Sequence, residues 1–206
     1  MFVIEFVKDF IRRVDKRVNA VTLTEFLLIS SMYLIMKSAD PKWFVENGFV
    51  ENLQLIILAV AFMVCMTARS EKKFFVFCGL VVLFLMMRET NLGRSFFCEK
   101  YLKPNEICRW NNLPYGYMAD VVRILYVILI LVYAIYNKLW LQLWRYISKA
   151  PIYVWDIGIM VLCAFLGIVA ETRYVDNEIL EETAETIMYI SLTYCLWRYS
   201  RYQFKV

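Results

Sequence analysis

Residues 117–136 read YMADVVRILYVILILVYAIY, and the 13 positions from Ile124 to Tyr136 contain no charged side chain. A helix needs about 20 mainly apolar residues to cross the roughly 30 Å hydrocarbon layer of a bilayer. This segment therefore predicts a membrane-spanning helix. Similar segments recur along the chain, and we predict six transmembrane helices over residues 22–39, 50–68, 74–92, 117–136, 152–170 and 179–198.

The composition of the chain agrees with this prediction. Of its 206 residues, 61% are hydrophobic, whereas soluble domains are typically about 45–50% apolar. Six spans occupy most of residues 21–206, which leaves short loops and one longer extracytoplasmic hairpin at about 93–116. We therefore predict an all-α integral membrane protein with a single six-helix transmembrane domain and no separate soluble domain.

The N-terminal segment, residues 1–20, has a different pattern. Apolar side chains recur there at helical spacing, and basic side chains fill the opposite face. A basic amphipathic helix of this kind lies in the headgroup plane of a membrane, so we predict an interfacial helix over residues 1–20. Thr22 and Glu25, at the start of the first span, have the spacing of a capping box with Thr22 as the N-cap.

The distribution of Lys and Arg predicts the orientation of the chain. Cytoplasmic loops of membrane proteins are enriched in these residues. With the N-terminus on the cytoplasmic side, all four cytoplasmic segments are basic, and they hold Lys8, Arg12, Arg13, Lys16, Arg17, Arg69, Lys72, Lys73, Lys138, Arg145, Lys149, Arg198, Arg201 and Lys205. We therefore predict that both termini are cytoplasmic, and the compact loops favour a bacterial inner membrane. The formal charge of +4 reflects this topology, and we expect no binding to nucleic acid.

Six cysteines are present. Cys98 and Cys108 fall in the predicted outer hairpin, where an oxidising compartment would permit a disulfide between them. Cys65, Cys78, Cys163 and Cys195 fall inside predicted spans, where cysteine usually serves as a small apolar side chain. The absence of histidine removes the commonest metal ligand, so we expect neither zinc nor haem.

Charged residues within the spans accumulate at the outer end of the predicted bundle. In the sixth span, the uncharged run from Thr186 to Trp197 covers only 12 residues, about 18 Å of helix, so the preceding glutamates must enter the membrane. The same argument applies to the third and fourth spans. The predicted outer polar pocket consists of Glu51, Arg88, Glu89, Arg94, Asp120, Arg123, Glu171, Glu181, Glu182 and Glu185.

Carboxylates are in excess in this pocket. With Arg173 just beyond the fifth span, seven carboxylates face four arginines, and a half-buried excess of negative charge requires protonation or a bound cation. The pocket also lies at the depth of lipid headgroups. We therefore predict that it faces the periplasm and binds or translocates a lipid headgroup, held by its phosphate on the arginines, or a cation.

Two alternatives remain open at this point. Glu181, Glu182 and Glu185 could hold Mg²⁺, Mn²⁺ or Ca²⁺ in an enzyme that acts on a lipid or isoprenoid, and the sequence does not decide whether the protein is an enzyme. The chain could instead be a non-catalytic subunit or assembly factor that binds another membrane protein or a second copy of itself. Asp156, near the inner end of the fifth span, fits either a proton relay or a capping or pairing role.

Overall fold

The computed structural model describes residues 10–44, 48–101, 109–114, 116–172 and 177–204. Within these ranges the chain is helical, apart from short turns and one pair of two-residue strands. The helices longer than one turn are α1 (Ala20–Ser38), α2 (Phe49–Met66), α3 (Lys72–Glu89), α4 (Arg94–Tyr101), α5 (Tyr117–Tyr136), α6 (Leu139–Lys149), α7 (Val154–Ala170) and α8 (Glu178–Ser200). The prediction of an all-α protein is therefore confirmed.

Three of these helices, α1, α2 and α5, are long and apolar enough on their own to cross a membrane. A fourth candidate is formed by α3 together with residues 91–98, which follow it at a bend of 56°. Helix α7 is apolar but has only 17 residues. The structure thus supports a membrane protein with three to four candidate spans.

Helix α8 lies at the centre of the bundle. It packs against α1, α2 and α7, and α2 also packs against α3. The buried side chains of α8 include Ala184, Ile187, Tyr189 and Ser191, so its polar residues face protein rather than lipid. This central position explains how a helix with four glutamates in its first two turns can occupy the bundle.

Helix α5 lies at the edge of the bundle. Its main contact is with α3, where the Tyr126 ring stacks on Phe84 at 6.0 Å and the Tyr126 hydroxyl donates to the Leu80 carbonyl at 3.2 Å. Every residue of α5 is described, and Ala119 alone is buried. Of the three helices that are long and apolar enough to cross a membrane on their own, α5 is the most apolar and the least buried, as expected for a helix that faces lipid.

The segment before α1 differs from the predicted interfacial helix. Residues 10–13 are helical, but Val14–Asp15 (β1) is extended and pairs in parallel with Ile152–Tyr153 (β2). Arg13 donates to the backbone carbonyl of Ile147, and Asp15 pairs with Arg198 at 3.2 Å. These tertiary contacts end the helical pattern seven residues before the predicted boundary at residue 20. The first nine residues lie outside the described ranges.

The start of α1 corrects the predicted capping box. The N-cap is Asn19, whose side-chain oxygen accepts hydrogen bonds from the backbone N–H groups of Val21 and Thr22 at 2.9 and 3.0 Å. Thr22 and Glu25 are both fully buried, and neither caps the helix. The prediction of Thr22 as N-cap is wrong because a better cap residue stands three positions earlier.

Helix α6 is amphipathic and runs between α5 and β2. Leu139 and Tyr146 are buried, while Trp140 and Trp144 are exposed, which is typical of a helix at a membrane interface. The ring of Tyr146 stacks on Phe74 with centroids 4.9 Å apart. Burial raises the pKa of Tyr146 to about 12, so this phenol stays neutral at physiological pH.

Five of the six cysteines lie within the described residues. Cys65, Cys78, Cys163 and Cys195 are free thiols on the helices of the bundle. Cys98 is buried in α4, and Cys108 lies outside the described residues. The Cys98–Cys108 disulfide therefore stays a prediction.

Candidate functional site

The structure brings the N-terminal ends of α2 and α8 and the C-terminal end of α3 together at one end of the bundle. Gln54, one turn into α2, is fully buried. Its side-chain nitrogen donates to the Glu182 carboxylate at 2.8 Å, to the Glu182 backbone carbonyl at 3.0 Å and to the Thr186 hydroxyl at 3.1 Å. Gln54 thus fixes the position of Glu182 and joins α2 to α8.

Helix α3 contributes adjacent residues of opposite charge. The guanidinium of Arg88 forms an ion pair with Glu185 of α8, and its Nε lies 3.7 Å from a carboxylate oxygen of Glu89. The same oxygen of Glu89 accepts a hydrogen bond of 2.6 Å from the hydroxyl of the fully buried Tyr189. The glutamate cluster, as we call it from here, consists of Glu51, Gln54, Arg88, Glu89, Glu181, Glu182, Glu185 and Tyr189.

Negative charge dominates the glutamate cluster. Glu51, Glu89 and Glu185 are buried, whereas the Arg88 side chain is 49% exposed. Glu89 interacts electrostatically with Glu51 and Glu185, and Glu182 interacts with Glu89, Glu181 and Glu185. Three of these carboxylates, those of Glu89, Glu181 and Glu185, interact with the guanidinium of Arg88. Carboxylates at such close range and low exposure cannot all remain charged without compensation.

An unsatisfied acceptor also lies in the glutamate cluster. The side-chain oxygen of Gln54 is buried and has no hydrogen-bond donor within the described chain. Exchange of the oxygen and nitrogen positions does not solve this, because the nitrogen faces three acceptors on α8. A buried amide oxygen without a donor costs roughly 1–3 kcal/mol. Carboxylates together with a free amide oxygen form an environment that favours a positively charged hydrogen-bond donor.

The other predicted pocket residues occupy different places. Asp120 and Arg123 pair with each other along α5 at 3.2 Å, and the Asp120 side chain is 68% exposed. Glu171 ends α7 and is exposed, although it interacts electrostatically with Glu181. Arg94 begins α4. Arg173 lies outside the described residues. The predicted contribution of the fourth span to the pocket is thus not seen.

The carboxylates of the described residues are not arranged as a metal centre. Within the described residues, no group of three or more Asp, Glu or Cys side chains is arranged so that it could hold a metal ion. Glu181, Glu182 and Glu185 lie on neighbouring turns of α8, but Gln54 binds Glu182 and Arg88 binds Glu185. The side chains are engaged by separate partners instead of converging on one point.

A second polar cluster lies near the other end of the bundle. Ser191 of α8 donates to Glu25 of α1 at 2.8 Å, and both residues are fully buried. Thr22 donates to Asp156 of α7 at 2.6 Å, and Arg198 lies 4.0 Å from the same carboxylate. Asp156 therefore has a pairing role within α1, α7 and α8, which agrees with one of its two sequence interpretations.

Tyr189 and Glu25 are among the cluster members that sequence reasoning missed. Tyr189 follows Glu185 by four residues and lies on the same face of α8, so helical spacing could have placed it in the glutamate cluster. Glu25 was assigned to a cap, although a carboxylate five residues inside an apolar helix is a signal for a buried partner. That partner, Ser191, is 166 residues away, and no local pattern identifies it.

Comparison of the chain with protein-family models, curated proteins and solved structures finds no significant match. The function must therefore be inferred from the residues and their geometry.

Proposed function

We propose that this chain is a multi-pass membrane protein that binds a cation in the glutamate cluster, at the outer surface of the membrane. In this proposal both termini are cytoplasmic, and the outer side is a bacterial periplasm. The six helices of 17 or more residues all cross the bilayer, namely α1, α2, α3, α5, α7 and α8. The best candidate ligand is a primary ammonium group, which a small amine or the headgroup of an aminophospholipid would supply.

The observation that carries this proposal is the buried side-chain oxygen of Gln54, which has no donor in the described chain, while the nitrogen of the same amide binds the carboxylate of Glu182. An ammonium group offers three hydrogen-bond donors and one positive charge. It would satisfy the amide oxygen and reduce the excess of negative charge in one step. An anionic ligand would increase that excess, so the phosphate interpretation of this pocket is disfavoured.

The packing of the last helix supports a cation site within the membrane boundary. Helix α8 contacts α1, α2 and α7, and within this packing Glu185 is buried and Glu182 is partly buried. Arg88 is half exposed and lies at the open side of the cluster. A ligand from the outer headgroup region could therefore reach the carboxylates past Arg88 without crossing the apolar interior.

Thermal unfolding of the detergent-purified protein tests this proposal. We compare ethanolamine hydrochloride with tetramethylammonium chloride, which has the same charge but no N–H donor, at equal ionic strength. Ligand at 100 times its Kd stabilises a folded protein by about 2.7 kcal/mol. We expect ethanolamine to raise the Tm of the wild-type protein and tetramethylammonium to have little effect.

The matched variants are Glu182→Gln, within the glutamate cluster, and Asp120→Asn, an exposed carboxylate on α5. Asp120→Asn should keep the ethanolamine response, and Glu182→Gln should lose it. A comparison of added phosphatidylethanolamine with phosphatidylcholine then distinguishes a lipid headgroup from a free amine. The site would be ruled out if ethanolamine raised the Tm of the wild type, Glu182→Gln and Asp120→Asn equally, or if it did not raise the Tm of the wild type.

The non-catalytic subunit remains a second candidate, and α5 favours it. This helix contacts mainly α3, and its apolar side chains are exposed on nearly all sides, including Ile124, Leu131 and Ile135. A helix attached along one edge of a bundle can contact either lipid or a helix of another protein. Chemical crosslinking in membranes from Leu131→Cys would distinguish the two, because only a protein neighbour yields a crosslinked product of higher mass.

A further inference from the structure

At the end of the bundle opposite the glutamate cluster, a cavity opens between the C-terminal ends of α2 and α8. Its volume is about 510 Å³, and polar side chains provide most of its walls. Arg69 and Arg201 are its basic residues, and Thr67, Ser70 and Ser200 contribute hydroxyl groups. Arg69 and Arg201 are both exposed.

An apolar groove of about 340 Å³ continues from this cavity along the bundle. Val64 and Trp197 line both spaces. The groove extends along α2 as far as Ile56 and along α8 as far as Ile190, a length of about 10–12 Å at 1.5 Å per residue. A basic cavity therefore opens directly into an apolar groove of the same helix pair.

The two arginines are available for an anion. Within the described chain, neither Arg69 nor Arg201 pairs with a carboxylate, whereas Arg145 on the same side pairs with Glu71 at 2.6 Å. The guanidinium of Arg201 lies over the ring of Trp197, 4.5 Å from its centroid. That contact holds one positive charge at the point where the cavity and the groove meet.

The hydroxyl groups of the cavity have a different role. Thr67 donates to the Met63 carbonyl at 2.8 Å, Ser200 donates to the Trp197 carbonyl at 2.9 Å, and Ser70 donates to the Tyr202 carbonyl at 3.1 Å. Each of these hydroxyl hydrogens is therefore already donated to a backbone carbonyl. Anion binding in this cavity depends on the two guanidinium groups, which match phosphate geometry well.

We infer that this cavity and groove bind an anionic phospholipid, with its phosphate headgroup on Arg69 and Arg201 and an acyl chain in the groove between α2 and α8. Charge complementarity selects the headgroup, because the cytoplasmic leaflet is rich in anionic lipids and the basic loops face that leaflet in the proposed orientation. The apolar groove selects an acyl chain over a free phosphate. This site is separate from the glutamate cluster and does not depend on cation binding there.

Native mass spectrometry of the full-length protein tests the inference. The protein is titrated with phosphatidylglycerol and with phosphatidylcholine of identical acyl chains. We expect the wild type to retain phosphatidylglycerol preferentially. In Arg69→Gln/Arg201→Gln this preference should fall by about 30-fold, which corresponds to about 1 kcal/mol for each arginine.

Two further variants make the result specific. Lys16→Gln/Arg17→Gln removes two charges from the same side of the bundle but outside the cavity, and it should keep the preference. Val60→Trp fills the groove at a partly exposed position, and it should weaken binding of both lipids. An unchanged preference in Arg69→Gln/Arg201→Gln, or an equal loss in Lys16→Gln/Arg17→Gln, would overturn the inference.

Discussion

The ion pair between Arg88 and Glu185 joins α3 to the central helix, with Glu185 buried and Arg88 half exposed. We expect Glu185→Gln and Arg88→Gln each to lower the free energy of unfolding by about 1–3 kcal/mol, because each leaves a polar partner incompletely satisfied. The double variant should cost less than the sum of the two changes. Denaturant unfolding in detergent measures all three values.

The ion pair of Asp120 and Arg123 is the control for this comparison of the single and double variants. It has the same charges at 3.2 Å but is exposed on α5. Exposed pairs contribute about 0–1 kcal/mol, so Asp120→Asn should have a small effect. Additive effects of the Arg88 and Glu185 substitutions would contradict the ion pair across helices.

The hydrogen bond from Ser191 to Glu25 joins α8 to α1 inside the bundle. Ser191→Ala should destabilise the protein by about 1–3 kcal/mol, because the buried Glu25 carboxylate then loses its donor. Ser30→Ala is the control, since the exposed Ser30 hydroxyl donates to the Phe26 carbonyl of its own helix. Thermal unfolding should leave this control close to the wild type, and equal shifts would mean that the Glu25 contact adds nothing.

At the scale of the helices, Asn19 determines where α1 begins. Asn19→Ala should cost about 1 kcal/mol, the usual effect of removing an N-cap side chain. Thr24→Ala, four residues into α1, removes only a hydrogen bond to the Ala20 carbonyl and should be nearly neutral. Unfolding measurements that rank these two substitutions in the opposite order would contradict the assigned cap.

Gly167 lies where α7 packs against α8. A Cβ atom at this position would lie 3.6 Å from the Cγ atom of Glu185, whereas a Cβ atom at Gly158 would meet no atom within 4 Å. Gly167→Leu should therefore destabilise the bundle by about 1–3 kcal/mol through overpacking. Gly158→Leu should be tolerated, and thermal unfolding of the two variants provides a direct comparison. Similar melting temperatures would show that α7 and α8 do not pack closely at Gly167.

The helices themselves were largely predictable from the sequence. Apolar runs bounded by charges placed the six long helices within about three residues of their observed ends, because helix length and apolar length are linked in a membrane. The pairing of Val14–Asp15 with Ile152–Tyr153 was not predictable, since it depends on residues about 138 positions apart. Glu25 was misinterpreted because a local capping pattern also fits its sequence.

Part of the candidate site was predictable as well. The glutamates of α8 were identified by the short uncharged run of that helix, and Arg88 and Glu89 by the short uncharged run of the third span. Glu51 was included because it begins the second span, and the structure brings these residues into one cluster. Asp120 was included because it lies at the same depth, but depth does not specify which helices are neighbours. The edge position of α5 is a tertiary feature and could not be obtained from one sequence.

At the scale of the whole molecule, α8 connects two polar clusters through an apolar layer. Glu182 and Glu185 occupy one end, and Ser191 and Arg198 contact the buried acids of the other. Between them, Ile187 and Ala184 pack with Met32, Ile159 and Cys163 in a core that α1, α7 and α8 share. Both proposed ligand sites depend on this arrangement being inserted with the glutamate cluster outside and the arginine cavity inside.

Labelling of single introduced cysteines by a membrane-impermeant maleimide, on intact cells and on opened membranes, tests that arrangement most directly. We introduce cysteine at the exposed positions Ser38 and Thr172, at the ends of α1 and α7, and at Thr67 and Gln203, at the ends of α2 and α8, with the wild type as background. Ser38→Cys and Thr172→Cys should react in intact cells, and Thr67→Cys and Gln203→Cys should react only after the membrane is opened. Reaction of Thr172→Cys and Gln203→Cys from the same side would show that α8 does not cross the membrane, which would contradict the account.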